Sequence, residues 1–191
     1  MMKTIIRLVI VLGLTSMVAA AALAEVYTYT QPRIARHRQE ALERAIFTVL
    51  PGVTSYRDTA VAGRTIYAGY RDGALAGYAV PAAGGGFQGT IGLMCGLSAH
   101  ADTMVGLTVL ESVETPGLGD KITKGPFIRQ FAGLNVAGDA SYVKNRRPNT
   151  PLAPGQIDAI TGATISSAAV TRIINGVLAD IRPALTAEEV R

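Results

Sequence analysis

Thr65 to Val80 reads TIYAGYRDGALAGYAV, two runs rich in aliphatic and tyrosine residues joined by Arg71-Asp72-Gly73-Ala74. An Asp-Gly pair between such runs signals a hairpin, because Gly tolerates positive φ. Thr65 to Tyr70 and Leu75 to Val80 are therefore expected to pair as antiparallel strands. C-terminal to them, Gly89 to Leu97 and Val105 to Glu111 read as two more strands separated by the polar stretch Ser98 to Thr103. No helical crossover separates these runs, so the sheet is expected to be antiparallel. Gly84-Gly85-Gly86 reads as a loop and lacks the GxGxxG spacing of a dinucleotide-binding turn.

Further along, the stretch from Asp139 to Gly155 turns to Asn, Arg and Pro, with Pro148, Pro151 and Pro154, and reads as a surface connection. The clearest helical pattern follows it. Ile165, Ala169, Ile173, Val177 and Ile181 recur every fourth residue, and Val170, Ile174 and Leu178 form the adjacent row. Such a helix buries one face, here expected against the sheet. Gly176 costs about 1 kcal/mol relative to Ala in a helix, which predicts a packing reason for it. Pro183 is expected to end the helix, leaving a solvated tail.

On the N-terminal side, Leu8 to Ala24 is a run of 17 residues without a charge, at the short end of what crosses a bilayer as a helix. Lys3 and Arg7 precede it, and Ala22-Leu23-Ala24 fits the small-x-small pattern that signal peptidase cuts. A retained anchor and a cleaved leader both satisfy this pattern, and both export the rest of the chain. Ile34, Ala41, Leu42, Ala45, Ile46, Val49 and Leu50 then recur at helical spacing until Pro51-Gly52, so an amphipathic helix is expected to continue from the apolar run. That continuity favours retention. Tyr27 and Tyr29 fit a membrane interface.

Composition narrows the function classes. The chain has 191 residues, 18 of them Lys or Arg; removing Lys3 and Arg7 leaves 16 basic against 14 acidic residues. Near balance and dispersed charge exclude the electrostatic footprint of a nucleic-acid binder. The single cysteine, Cys95, allows no intrachain disulfide, and no cysteine cluster exists for a metal. His37 and His100 are far apart and have no acidic cluster, so neither a metal site nor a catalytic triad is expected.

Two stretches carry the chemistry. Asp158 to Ser167, DAITGATISS, opens the C-terminal helix. A helix N-terminus offers unpaired N–H groups and the positive end of the dipole, so a phosphate is stabilised there without a lysine. Gly162 and Ala163 leave room for it, Thr164 presents a hydroxyl at that spot, and Ser166 and Ser167 are further donors. A plain helix cap by Thr161 or Thr164 fits the same residues. The second stretch is Glu114 to Ile122, ETPGLGDKI, where Pro and two Gly fix a sharp loop with exposed backbone N–H groups. Such a loop can embrace a planar ligand, with Leu118 covering one face, and it can equally be a structural turn.

Together the two stretches resemble the FMN-binding domain shared by RnfG (also called RsxG) proteins of Rnf ion-translocating complexes and by NqrC, the matching component of the sodium-translocating quinone reductase. Phe87-Gln88-Gly89-Thr90-Ile91 and Phe127 to Gly133, FIRQFAG, extend the similarity over most of residues 60 to 180. The short chain and the GDKI ending fit RnfG better than NqrC. The triple glycine before Phe87 and the loop Arg146 to Gly155 depart from the pattern.

The resemblance implies an α+β fold: an N-terminal transmembrane helix, then a single FMN-binding domain with a mainly antiparallel sheet and flanking helices. It divides the chain into an anchor (1–26), an amphipathic connecting helix (27–52), the FMN-binding domain (53–183) and a tail (184–191). It implies covalent FMN, esterified through its phosphate to Thr164, with Thr161, Gly162, Ala163 and Ser166 around the phosphate and Glu114, Thr115, Gly117, Leu118 and Gly119 lining the ring. A separate flavin transferase drawing on FAD would install the flavin and recognise Asp158. No catalytic side chain and no metal are implied. The expected role is an electron carrier in a membrane complex moving electrons between ferredoxin and NAD, coupled to sodium or proton translocation. Its partners are the other membrane and redox subunits, and its flavin domain lies on the periplasmic side of the bacterial inner membrane. An exported domain serving a stand-alone extracellular reductase and an NqrC-like component are the alternatives.

Overall fold

The computed structural model describes residues 2–147 and 149–188. Helix α1 runs Met2–Val49 and is followed by five strands: β1 (Ser55–Val61), β2 (Arg64–Arg71), β3 (Ala74–Gly85), β4 (Thr90–Ser98) and β5 (Thr103–Ser112). A 3-10 turn over Gly119–Thr123 and the short helix α2 (Gly125–Ile128) lead to β6 (Leu134–Asn135), β7 (Ser141–Val143), β8 (Gln156–Asp158) and the long helix α3 (Thr164–Glu188). Residues 2–41 form one unit and the chain from Leu42 another. In the first unit the apolar run of α1 is exposed along its length, and one window is long and apolar enough to cross a membrane.

The second unit is built on an antiparallel sheet in the order β1-β2-β3-β4-β5-β6, with β7 and β8 pairing separately and in parallel. The hairpin read from Arg71 to Ala74 is present. Asp72 and Gly73 both have positive φ (50° and 81°), the geometry of a two-residue turn whose twist matches its strands. One face of the sheet, with Val80, Leu93, Cys95 and Leu97, packs on Ala169, Val170, Ile173, Ile174, Val177 and Ile181 of α3. Each fully buried aliphatic side chain there contributes on the order of 1.5–3 kcal/mol. The other face, with Ala79 and Met94, packs on Ala45, Ile46, Val49 and Leu50 at the end of α1. Glycine makes that contact possible: a Cβ on Gly96 would lie 2.2 Å from the Val49 carbonyl oxygen. Burial pushes the Cys95 thiol up to about 12, so it stays protonated in the core.

Several sequence expectations are corrected. Strand β1 exists where no strand was read, because SYRDTAV is largely polar and forms an edge that buries little beyond Val61. Gly84 and Gly85, read as loop, continue β3 and pair with Ile91 and Thr90. A Cβ on Gly84 would lie 2.7 Å from Ile173, so glycine here admits α3 rather than breaking the strand. Helix α3 passes through Pro183 to Glu188. An interior Pro costs about 3 kcal/mol, and burial of Ile181 and Leu185 on either side of it offsets that. Gly176 has no packing reason, since a Cβ there would meet nothing within 4 Å. Ile34 and Ala41, placed on the apolar face of the connecting helix, are exposed. Pro148 of the expected surface connection and residues 189–191 of the expected tail lie outside the described residues.

Candidate functional site

The turn before α3 is shaped by Gly162, at φ 82°, and closed by Ala163 N–H donating to the Ile160 carbonyl (2.9 Å). Ser167 supplies the side-chain bonds of this turn: its Oγ accepts from Ile160 N–H (3.0 Å) and donates to the Ala163 carbonyl (3.1 Å). Thr161, expected to cap the helix, is exposed in the turn and makes no side-chain hydrogen bond among the described residues. Thr164 is the first helical residue, and Ser167 N–H makes the first helical bond, to Ala163. The N–H groups of Thr164, Ile165 and Ser166 are consequently left without intrahelical acceptors.

Opposite this helix end lies the loop that follows β5. Gly117 turns it at φ 77°, and Leu118 and Asp120 N–H both donate to the Thr115 carbonyl (3.2 Å each). Glu114 opens the loop and is 5% exposed. Its Oε1 accepts from Phe87 N–H (2.8 Å) and Gln88 N–H (3.1 Å), and its Oε2 accepts from the Ser166 hydroxyl. Burial raises the Glu114 carboxyl, but the bonds from Ser166 and from the Gln88, Phe87 and Gly89 backbone outweigh it and hold the group below its ordinary value. The carboxylate thus ties three segments together: the β3–β4 connection, the 114–119 loop and the first turn of α3. Thr115 adds a bond to Gln88 Oε1 (3.0 Å).

Between these segments is a pocket of about 320 Å³, lined by Phe87, Glu114, Thr115, Leu118, Gly119, Gly162, Ala163, Thr164, Ile165 and Ser166. Its volume lies within the usual range for a small-molecule site. Phe87, Leu118 and Ile165 are 62%, 47% and 59% exposed, an unusual display of large apolar side chains around a cleft. One wall therefore offers helix N–H donors and a threonine hydroxyl, and the rim offers apolar surface. That set suits a ligand with a phosphate at one end and a planar aromatic body at the other.

Of the residues expected from the sequence, Glu114, Thr115, Leu118, Gly119, Gly162, Ala163, Thr164 and Ser166 line this pocket; Thr161, Gly117 and Asp158 do not. Asp158 ends β8. Gln130 holds its backbone from both sides (Asp158 N–H to Oε1, 2.7 Å; Nε2 to the Asp158 carbonyl, 3.1 Å), and Arg146 Nε donates to its Oδ2 (3.0 Å). Arg146, in the loop to which the sequence assigned no role, also donates to the Thr150 carbonyl (2.7 Å). Phe87 and Ile165 were missed as lining residues. Helical periodicity put Ile165 in the buried row, and Phe87 was read only as the start of a stretch that extends the family resemblance.

Comparison with known proteins bears on this arrangement. Residues 86–179 match the model of the FMN-binding domain, and residues 1–49 match that of the RnfG N-terminal region. The G-subunit of the ion-translocating oxidoreductase complex of Methanosarcina acetivorans is 36% identical over 177 residues, 88% of this chain and 89% of that protein. The G-subunit of the Na(+)-translocating ferredoxin:NAD(+) oxidoreductase complex of Acetobacterium woodii is 32% identical over 190 residues, 91% of this chain and 89% of that one. Among solved structures, the C-subunit of the Na(+)-translocating NADH-quinone reductase from Parabacteroides distasonis superposes with a TM-score of 0.64 at 18% identity, covering 81% of this chain and 96% of that one, a likeness of fold.

Proposed function

This chain belongs to the RnfG family, the G-subunits of ion-translocating oxidoreductase complexes, and from that premise we propose that it is an FMN-bearing electron-transfer protein of such a complex. The observation that carries the reading is the convergence of Glu114, Thr115, Leu118 and Gly119 with residues 162–166 on one pocket at the N-terminus of α3. FMN has the phosphate and the planar ring that this pocket suits.

In this reading Thr164 Oγ1 is the attachment atom. A flavin transferase drawing on FAD would join it to the phosphorus of the FMN half; the bond to AMP breaks, and the hydroxyl proton leaves. The N–H groups of Thr164, Ile165 and Ser166 then hold the phosphate oxygens at the positive end of the α3 dipole. Gly162 and Ala163 keep that approach open. Phe87, Leu118 and Ile165 cover the ring and exclude water, while Glu114, Thr115 and Gly119 shape its wall. Bound FMN supplies reversible electron transfer, and the protein supplies position and tuning. Asp158, held by Arg146 and Gln130, is the residue we assign to transferase recognition. No side chain is assigned as a general acid or base.

We further assign residues 1–26 as a retained membrane anchor, 27–52 as the connecting helix and 53–183 as the flavin domain, which lies outside the cytoplasm. Its partners are the other membrane and redox subunits, in a complex that couples electron transfer between ferredoxin and NAD to sodium or proton movement. The test is co-expression with a flavin transferase, followed by acid precipitation. Yellow colour remaining with the precipitated chain supports the reading, and colour released wholly to the supernatant refutes covalent attachment.

A further inference from the structure

Among the described residues Glu114 is unusual for a charged group because it is buried and forms no ion pair with a cation. Its hydrogen-bond donors, the Phe87, Gln88 and Gly89 N–H groups and the Ser166 hydroxyl, are all neutral, and no basic side chain among the described residues forms an ion pair with it. Its surroundings are also close-fitting. A Cβ on Gly86 would lie 2.3 Å from Glu114 Oε1, and a Cβ on Gly119 would lie 2.7 Å from Oε2. The backbone is thus drawn in around the carboxylate. Solvation by neutral dipoles keeps the group ionised but does not cancel its charge.

We infer that the buried, uncompensated carboxylate of Glu114 lowers the reduction potential of the flavin in this pocket by placing a fixed negative charge in the wall that the ring occupies. This rests on the reading of the pocket as the FMN site. Adding an electron to a ring beside a fixed anion is opposed by Coulomb repulsion, and exclusion of water by Phe87, Leu118 and Ile165 strengthens the effect by lowering the local dielectric. Glu114 is accordingly a positioning residue with a second role: its hydrogen bonds assemble the pocket, and its charge sets the energy of the electron held there. The two roles separate by substitution. Glu114→Gln and Glu114→Met both remove the charge, Glu114→Asp keeps it on a shorter stem, and Ser166→Ala keeps it and removes one donor.

The experiment is a redox titration of the flavin-loaded full chain in detergent at pH 7.5, for wild type and these four variants, with circular dichroism to establish that each is folded. The expected result is a midpoint potential shifted positive in Glu114→Gln and Glu114→Met, by clearly more than in Glu114→Asp and Ser166→Ala, which disturb the pocket's hydrogen bonds but keep the charge. Equal shifts in the neutral and the charge-keeping variants would show that only pocket geometry matters and overturn the inference. So would an unshifted potential in Glu114→Gln. Failure of wild type itself to carry flavin is a separate outcome that counts against the FMN reading of the pocket.

Discussion

Ser166, in the first turn of α3, donates its hydroxyl hydrogen to Oε2 of Glu114, 52 residues earlier in the chain and itself buried. The bond joins the helix end to the loop after β5 and makes an ionised carboxylate part of the fold.

The pH dependence of stability follows from that bond. The folded-state carboxyl of Glu114 lies below its ordinary value of 4.5. The stability gained from the ionised form is therefore fully present above about pH 4.5 and is lost as pH falls through the folded value. Urea unfolding at steps between pH 7 and pH 3.5 should show a decline at the acid end in wild type that is smaller in Glu114→Gln. Parallel curves for the two proteins would remove Glu114 as a source of acid sensitivity.

Two glycines should respond oppositely to alanine. At Gly119 the added Cβ would lie 2.7 Å from Glu114 Oε2 and 2.8 Å from Ser166 Oγ, so Gly119→Ala should cost about 1–3 kcal/mol through overpacking and weaken flavin retention. At Gly176, inside α3 with open space around it, Gly176→Ala should stabilise by about 1 kcal/mol. Chemical denaturation of both variants checks the pair. A destabilised Gly176→Ala would mean that this turn of α3 needs glycine for a reason other than space.

Much of this was legible in the sequence, for identifiable reasons. Asp72-Gly73 announced its hairpin because both residues take the positive φ that few others tolerate. The α3 rows were visible because seven of the eight residues read into them are buried. The eighth, Ile165, borders the pocket, where the rule that apolar means buried gives way to the needs of a ligand. Strand β1 was hidden by its polar edge composition, and the β3 end by its glycines, of which Gly84 admits the close approach of α3. Local propensity also misjudged Pro183, where packing of Ile181 and Leu185 prevails. The pocket's two main stretches could be named in advance; Phe87 lay in a third stretch similar to the family, but its place at the pocket depends on the bond from its N–H to Glu114, which no local pattern shows.

Leu118 stands half-exposed at the pocket rim, and its Cδ2 would lie 3.4 Å from a Cβ on Gly162. Leu118→Asp should leave the thermal midpoint almost unchanged and weaken packing of the ring, because a charge against an apolar face loses hydration without gaining a partner. Raised flavin fluorescence and faster quenching by iodide are the expected readouts. Fluorescence and quenching equal to wild type would take Leu118 out of contact with the ring.

The N-terminal apolar run should be retained in the mature protein. Intact-mass measurement of the chain purified from membranes is expected to give a species that contains residues 8–24. A mature chain beginning at Glu25 would show that the segment is a cleaved leader and that the flavin domain is released.

The attachment itself is tested most directly by Thr164→Val, co-expressed with a flavin transferase beside wild type and Ser166→Ala. Val keeps the shape of Thr and removes only the oxygen that would carry the phosphate. Fluorescent bands after denaturing electrophoresis are expected in wild type and Ser166→Ala, with an FMN mass increment on the peptide containing Thr164. Thr164→Val should fold and carry no band. A band persisting in Thr164→Val, or an increment mapped to Thr161 or Ser167, would contradict the account.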